Sequence, residues 1–357
     1  MRINKFILGM ILVSILFVSC SGDDDNNRAP RGDYDNGLII INEGNFFSGN
    51  ASATYVSQDL TTVEQGIFTG VNTAPLGDTA QSLTFHEEFA FVVVNVSNKI
   101  EVVNRYSFES ISTISTGLSN PRYMVIVGNK AYVTNWGDGA STTDDYIAVV
   151  DLTTYTVEST IAVAEGPERI VENNGKLFVS HKGGWGLGNS VSVITISNGS
   201  IQSIPVDDVP DEMVLANGNL WVLSEGKPAW TGSETGGSIK VINTDTDTVE
   251  LTFPMGATDH PSLLDFKNNT IFYYMNGDIY KMAHNASTLP TTPIISAINT
   301  NTFSASMRVD HSRLYFTDAG DNNSNGSLIV YDLSNNTPVE TLTVGINPGG
   351  GIYLNEL

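Results

Sequence analysis

One strand-like segment recurs from end to end of the chain. Lys130-Ala-Tyr-Val-Thr-Asn135 reads as a strand, and variants of it stand at Leu38–Asn42, Phe89–Asn95, Lys176–His181, Asn219–Ser224, Thr270–Met275 and Arg313–Asp318. Taking Ile40, Phe91, Tyr132, Phe178, Trp221, Phe272 and Tyr315 as one position gives spacings of 51, 41, 46, 43, 51 and 43 residues. A repeat of about 46 residues is the length of one four-stranded propeller blade. A third strand is visible after six of the seven copies, at Lys99–Val103, Tyr146–Val150, Ser190–Ile196, Ser238–Ile242, Gly277–Met282 and Ser327–Tyr331. Helical periodicity is short-lived throughout, so the expected fold is all-β: a seven-bladed propeller of four-stranded antiparallel blades.

The two ends of the repeat array predict how the ring closes. The first copy begins with a second-type strand, and Gly345-Ile-Asn-Pro-Gly-Gly-Gly-Ile-Tyr-Leu354 reads as an inner strand with no blade after it. That last strand is expected to complete blade one and so remove the open sheet edges.

Antiparallel meandering then sorts the loops. Loops leading into strand one and loops between strands two and three emerge on the same face of the ring. The second set is long in blades one, three, four, five and seven, and it contains Trp136, Trp185, Trp230 and the pair Phe46–Phe47. Clustered exposed aromatics mark ligand or partner surfaces, although any one of them can instead fold back over its own blade. Asn45 and Asn95 lie on the same face, as do Asp78, Gln81, Arg122, Tyr123, Arg169, Asp259, His260 and Arg308 near strand-one starts. These polar groups are expected to orient a ligand on the aromatic floor, with pairing to channel carboxylates as the alternative for the arginines. Trp221 falls within a strand and is expected in the core.

Composition narrows the partners. The chain carries 17 basic and 39 acidic residues, net -22, which disfavours nucleic acid. Its N-terminus has a positive n-region (Arg2, Lys5) and a short apolar run, Phe6–Val18, followed by the only cysteine, Cys20. The run is too short to span a bilayer, which takes roughly 20 residues. A single cysteine allows no intrachain disulfide. Leu16-Phe-Val-Ser-Cys20 resembles a bacterial lipobox, and Ser21-Gly-Asp-Asp-Asp resembles the export signal of outward-facing Bacteroidetes lipoproteins. The expected organisation is a signal peptide over 1–19, a lipidated acidic linker over 20–36 and the propeller over 37–357.

Catalytic patterns do not assemble. The five histidines form no HExxH or other metal-spaced pair, and no Gly-x-Ser-x-Gly elbow is present. Gly183-Gly-Trp-Gly-Leu-Gly188 lacks the βαβ context of a phosphate loop. Asp321, Asn323 and Asn325 match the start of a calcium loop, but a hairpin turn explains the run equally well.

Lys130-Ala-Tyr-Val-Thr-Asn135 matches the YVTN propeller repeat, a resemblance that covers about Leu38–Leu354. Beyond it, Ile41-Asn-Glu-Gly-Asn-Phe46, Leu76-Gly-Asp-Thr-Ala-Gln-Ser82, Val92-Val-Val-Asn95, Lys99-Ile-Glu-Val102 and Ser119-Asn-Pro-Arg-Tyr123 resemble the BtuG-type cobalamin-binding surface lipoproteins of gut Bacteroidetes. The resemblance implies a non-enzymatic lipoprotein, lipid-anchored at the outer membrane and facing outward. It implies cobalamin as the bound ligand, no required cofactor, and delivery to a BtuB-like TonB-dependent transporter. Between Glu165 and Thr300 only the repeat pattern is shared, which leaves a glycan, peptide or protein as the alternative ligand.

Overall fold

The computed structural model describes residues 30–296, 298, 304–310 and 312–356. The chain divides into residues 1–30 and 31–357, and the second unit is the propeller. The expected signal peptide over 1–19 and Cys20 lie outside the described residues. Residues 31–36, expected as the end of the linker, are instead built into the fold. Tyr34 and Asp35 are buried there, and Tyr34 N–H donates to the Tyr106 carbonyl at 2.9 Å.

Blade one contains β1 (Gly37–Asn42), β2 (Ser52–Ser57) and β3 (Val63–Gln65), followed by the short helix α1 (Ile67–Asn72). Blade two is β4 (Ala80–His86), β5 (Phe89–Val94), β6 (Lys99–Asn104) and β7 (Ser110–Ile114). Blade three is β8 (Pro121–Val127), β9 (Lys130–Asn135), β10 (Tyr146–Asp151) and β11 (Thr156–Ala162). Blade four is β12 (Pro167–Asn173), β13 (Lys176–His181), β14 (Ser190–Thr195) and β15 (Ile201–Pro205). Blade five is β16 (Pro210–Ala216), β17 (Asn219–Ser224), β18 (Ser238–Asn243) and β19 (Thr248–Pro254). Blade six is β20 (Pro261–Lys267), β21 (Thr270–Met275) and β22 (Asp278–Ala283). Blade seven is β23 (Met307–Asp310), β24 (Arg313–Asp318), β25 (Asn325–Asp332) and β26 (Thr337–Ile346).

The closing strand β27 (Ile352–Asn355) pairs antiparallel with β1, from Gly37 opposite Asn355 to Ile40 opposite Ile352. Blade one therefore runs β27-β1-β2-β3 from the axis outward, as the chain ends predicted. Blade six departs from the expected four strands. Among the described residues its sheet has three, and the outer edge carries only an isolated bridge between Ile279 and Ile295.

The second strands are apolar on both faces because each blade is sandwiched between two others, which removes the usual alternation. In β1 every residue is buried, and in β9 all but Lys130 are. The outer strands face water, and β11 shows only half-buried and exposed positions. Buried clusters fill the gaps between neighbouring blades, such as Phe91, Val133 and Ala148 between blades two and three. Among the described residues no helix is long and apolar enough to cross a membrane.

One irregularity positions the channel residues. Strand one bulges near its start in five blades, between Ala80/Ser82, Pro121/Met124, Pro167/Ile170, Pro210/Met213 and Ser262/Leu264. A bulge opposes two residues to one and re-aims a side chain. In blades three to five it falls on Arg122–Tyr123, Glu168–Arg169 and Asp211–Glu212, and both members of each pair join one axial network.

Candidate functional site

Backbone bonds tie the two loop sets together on one face. Glu43 N–H donates to Asn347 O (2.8 Å), Asn95 to Thr79 O (2.7 Å), Trp136 to Asn120 O (3.2 Å), Lys182 to Gly166 O (2.9 Å) and Glu225 to Val209 O (2.9 Å).

The aromatic residues on this face separate into three groups. Trp136 and Trp185 meet edge to face with centroids 6.2 Å apart. The Trp136 indole N–H donates to Pro167 O at 3.1 Å, which half-buries that ring. Trp185 is 70% exposed and lies against Gly139, where an added Cβ would stand 2.5 Å from its indole nitrogen. Phe46 and Phe47 meet at a tilt of 47° with centroids 4.1 Å apart on blade one, 54% and 77% exposed. Asp78 pins their loop by accepting from Phe47 N–H and Gly49 N–H at 3.1 Å each, and Asn45 donates to Asn322 O at 2.6 Å. Trp230, 80% exposed on the 3-10 turn Ala229–Thr231, has no ring contact with either group among the described residues. Trp221 is core, 1% exposed.

Beneath the Trp136–Trp185 pair lies a ladder of charges. Arg122 grips Glu168 through two bonds of 3.0 and 2.7 Å, donates to Gln81 at 2.5 Å, and stacks 4.1 Å from the Trp136 ring. Gln81 donates to the Tyr123 hydroxyl at 3.1 Å, and Arg169 lies 3.9 Å over the Tyr123 ring. Arg169 pairs with Glu212 and approaches Asp211 at 3.6 Å, and Lys182 bridges Asp211 (2.6 Å) and Glu225 (3.3 Å). Toward blades six and seven the axis opens into a cavity of about 190 Å³ between Arg169, Glu212, Asp265, Ser306, Arg308 and Tyr353.

The network corrects part of the expected site. Gln81, Asn95 and Arg122 were expected to meet a ligand, yet protein partners engage their polar groups. Asn95 is buried and donates its amide to Pro121 O at 3.1 Å. The arginines follow the alternative reading, with Arg308 lying 3.6 Å from Asp265. The pattern Pro-x-x-apolar at Pro121, Pro167 and Pro210 was the available signal for this network. Its carboxylates Glu168, Asp211 and Glu212, together with Lys182 and Glu225, were missed. At the calcium candidate the side chains are engaged within the protein. Asp321 caps its own turn by accepting from Asn323 and Ser324 N–H (2.9 and 2.7 Å), while Asn325 donates to Gln65 at 2.9 Å. Among the described residues no group of three or more His, Cys, Asp or Glu could hold a metal ion.

Burial shifts the protonation of two carboxyls of this network and of two groups outside it. It pushes Glu212 up to about 7 and Glu225 up to about 6, against an ordinary 4.5, and Asp145 up to about 6 against 3.8. Burial also depresses His181 to about 4 from 6.5. The raised carboxyls bind protons in the fold where the unfolded chain has released them, so their contribution is lost as pH rises through the folded values. Burial raises the Glu43 and Asp265 carboxyls as well, whereas His181 acts the opposite way, one group against five. Raising the pH from about 5 to about 8 is therefore expected to lower the urea midpoint of unfolding. A midpoint that climbs across that interval contradicts the assignment.

A closed ring with exposed aromatics over a self-paired axial mouth defines a seven-bladed β-propeller. The chain belongs to the family described as "Domain of unknown function (DUF5074)", whose profile matches residues 36–347. No curated protein matches the sequence. Similar solved structures include a quinoprotein alcohol dehydrogenase-like protein from Bacteroides thetaiotaomicron, with a TM-score of 0.66 and 15% identity over 90% of this chain and 79% of that one. A functionally unknown protein from Desulfotomaculum acetoxidans gives 0.65 and 13%, over 90% and 99% of the two chains. The periplasmic gluconolactonase of Pseudomonas aeruginosa gives 0.63 and 11%, over 87% and 97%. At such identities the likeness shows the fold alone. Family and fold establish the broad propeller class and not the BtuG type.

Proposed function

We propose that this protein is a non-enzymatic capture module that holds a corrinoid against the aromatic face. In this reading it is tethered through lipidated Cys20 to the outside of the outer membrane and passes its ligand to a TonB-dependent transporter. The observation that carries the reading is the exposure of Phe46, Phe47, Trp185 and Trp230, between 54% and 80%, on one face. Large aromatic surfaces left in water on a folded domain mark contact surfaces. A corrinoid is broad, flat and rimmed with amides, so it reaches several loops at once and suits aromatic contact with polar edges. The pairing of Arg122 with Glu168 and of Lys182 with Asp211 supports a binding role over catalysis, because it leaves these groups engaged with one another.

Calorimetric titration of residues 31–357 with cyanocobalamin tests the ligand. Heat that saturates at micromolar concentration is expected. Absence of heat, together with binding on a glycan array, would assign the face to the alternative class of ligand.

A further inference from the structure

On the opposite face, blade six breaks the pattern that the other blades keep. In the other six, an uncharged third-strand residue sits across from the aromatic or isoleucine of strand two. These residues are Thr54, Val102, Val149, Val193, Val241 and Val330, and all are buried. In blade six the residue opposite Phe272 is Lys281, and it is exposed. Among the described residues the same blade has no fourth strand, and the bridge from Ile279 to Ile295 covers only the end of β22 nearer the aromatic face.

The uncovered end opens into a cavity of about 380 Å³ between blades six and seven. Phe272, Met282, Val309 and Leu333 supply its apolar wall, and the cationic groups on its lining are Lys267 and Lys281, with no carboxylate among the lining residues. Lys267 pairs with Asp310. Lys281 has no ion-pair partner among the described residues. A lysine at a position otherwise reserved for core residues, beside a missing strand and a void of small-molecule size, breaks local consistency in the way functional sites do.

We infer that this cleft binds a small amphipathic carboxylate, with its apolar body against Phe272 and Val309 and its carboxylate on the Lys281 ammonium. Asp310 neutralises Lys267, so Lys281 is the lining cation left without an ion-pair partner among the described residues, and in a chain of net charge -22 it selects an anion.

Octanoate, octanamide and an acidic hexapeptide, each titrated into the domain by calorimetry, test the inference. Octanoate is expected to bind at least about tenfold more tightly than octanamide, since a charge-assisted hydrogen bond is roughly twice as strong as a neutral one, a difference on the order of tenfold in affinity. Lys281→Val restores the residue type of the other blades. It should weaken octanoate at least about tenfold without lowering the thermal midpoint. Lys281→Gln, which keeps a polar hydrogen-bonding end group but removes the charge, should weaken it likewise. Equal affinities for acid and amide, unchanged octanoate binding in both variants, or binding of the peptide alone would overturn the inference. Trp185→Ala and Trp230→Ala are expected to leave octanoate binding intact, which separates this site from the aromatic face.

Discussion

A chain truncated after Val344 is expected to show no cooperative thermal transition. The lost residues include β27, the innermost strand of blade one, and their removal exposes the edge of β1 to the axis. Ile352 leaves the cluster it shares with Leu38, Ile40, Tyr315 and Val330, which is the seam between blades seven and one. Asn355, fully buried, accepts from Arg105 Nε at 2.7 Å and donates to the Tyr34 and Arg105 carbonyls at 2.6 and 2.8 Å. Each buried partner left unpaired costs about 1–3 kcal/mol. Together these losses are comparable with the whole stability of a domain, about 5–15 kcal/mol. Circular dichroism during heating checks the expectation, and melting indistinguishable from that of the intact chain would contradict ring closure by the C-terminal strand.

The second large effect concerns binding and spares the fold. Trp185→Ala with Trp230→Ala is expected to weaken corrinoid affinity by about a hundredfold or more, since buried aromatic anchors cost about 2 kcal/mol or more each on truncation. The thermal midpoint should barely move, because the two rings are 70% and 80% exposed in the free protein and bury little of their area on folding. Trp136→Ala is a poor substitute for this test. It removes the ring stacked on Arg122 and the bond to Pro167 O, so loss of binding and loss of fold would be confounded. Unaltered affinity in the double variant, measured by calorimetry, would move the ligand off this face.

Much of the architecture was legible because propeller blades repeat their physics. Lys130–Asn135, Lys176–His181, Asn219–Ser224, Thr270–Met275 and Arg313–Asp318 coincide with β9, β13, β17, β21 and β24. The apolar-on-both-faces pattern and the spacing were enough to find them. The fourth strand of blade six was assumed from its neighbours. Yet Pro290 and Pro293 stand where an outer strand would run, and a missing N–H disfavours a strand interior. The aromatic face followed from topology, since loop sides are fixed once strands alternate. The charge ladder did not, because it joins Gln81, Arg122, Glu168 and Asp211 from four successive blades. Its members are brought together by bulges that turn two adjacent side chains toward one network, and strict alternation would have sent one of each pair away. Lys281 was passed over for a related reason. Its departure shows only when the third strands are aligned on their cross-strand partners.

Intrinsic fluorescence offers the most direct test of the capture reading, because three of the four tryptophans, Trp136, Trp185 and Trp230, stand in loops of one face. Titration with cyanocobalamin, whose corrin ring absorbs in the near ultraviolet and visible, should quench most of the emission saturably at micromolar ligand. Only the component from buried Trp221 should be less affected. Emission that falls no further than inner-filter absorption explains would contradict a corrinoid seated on the aromatic face.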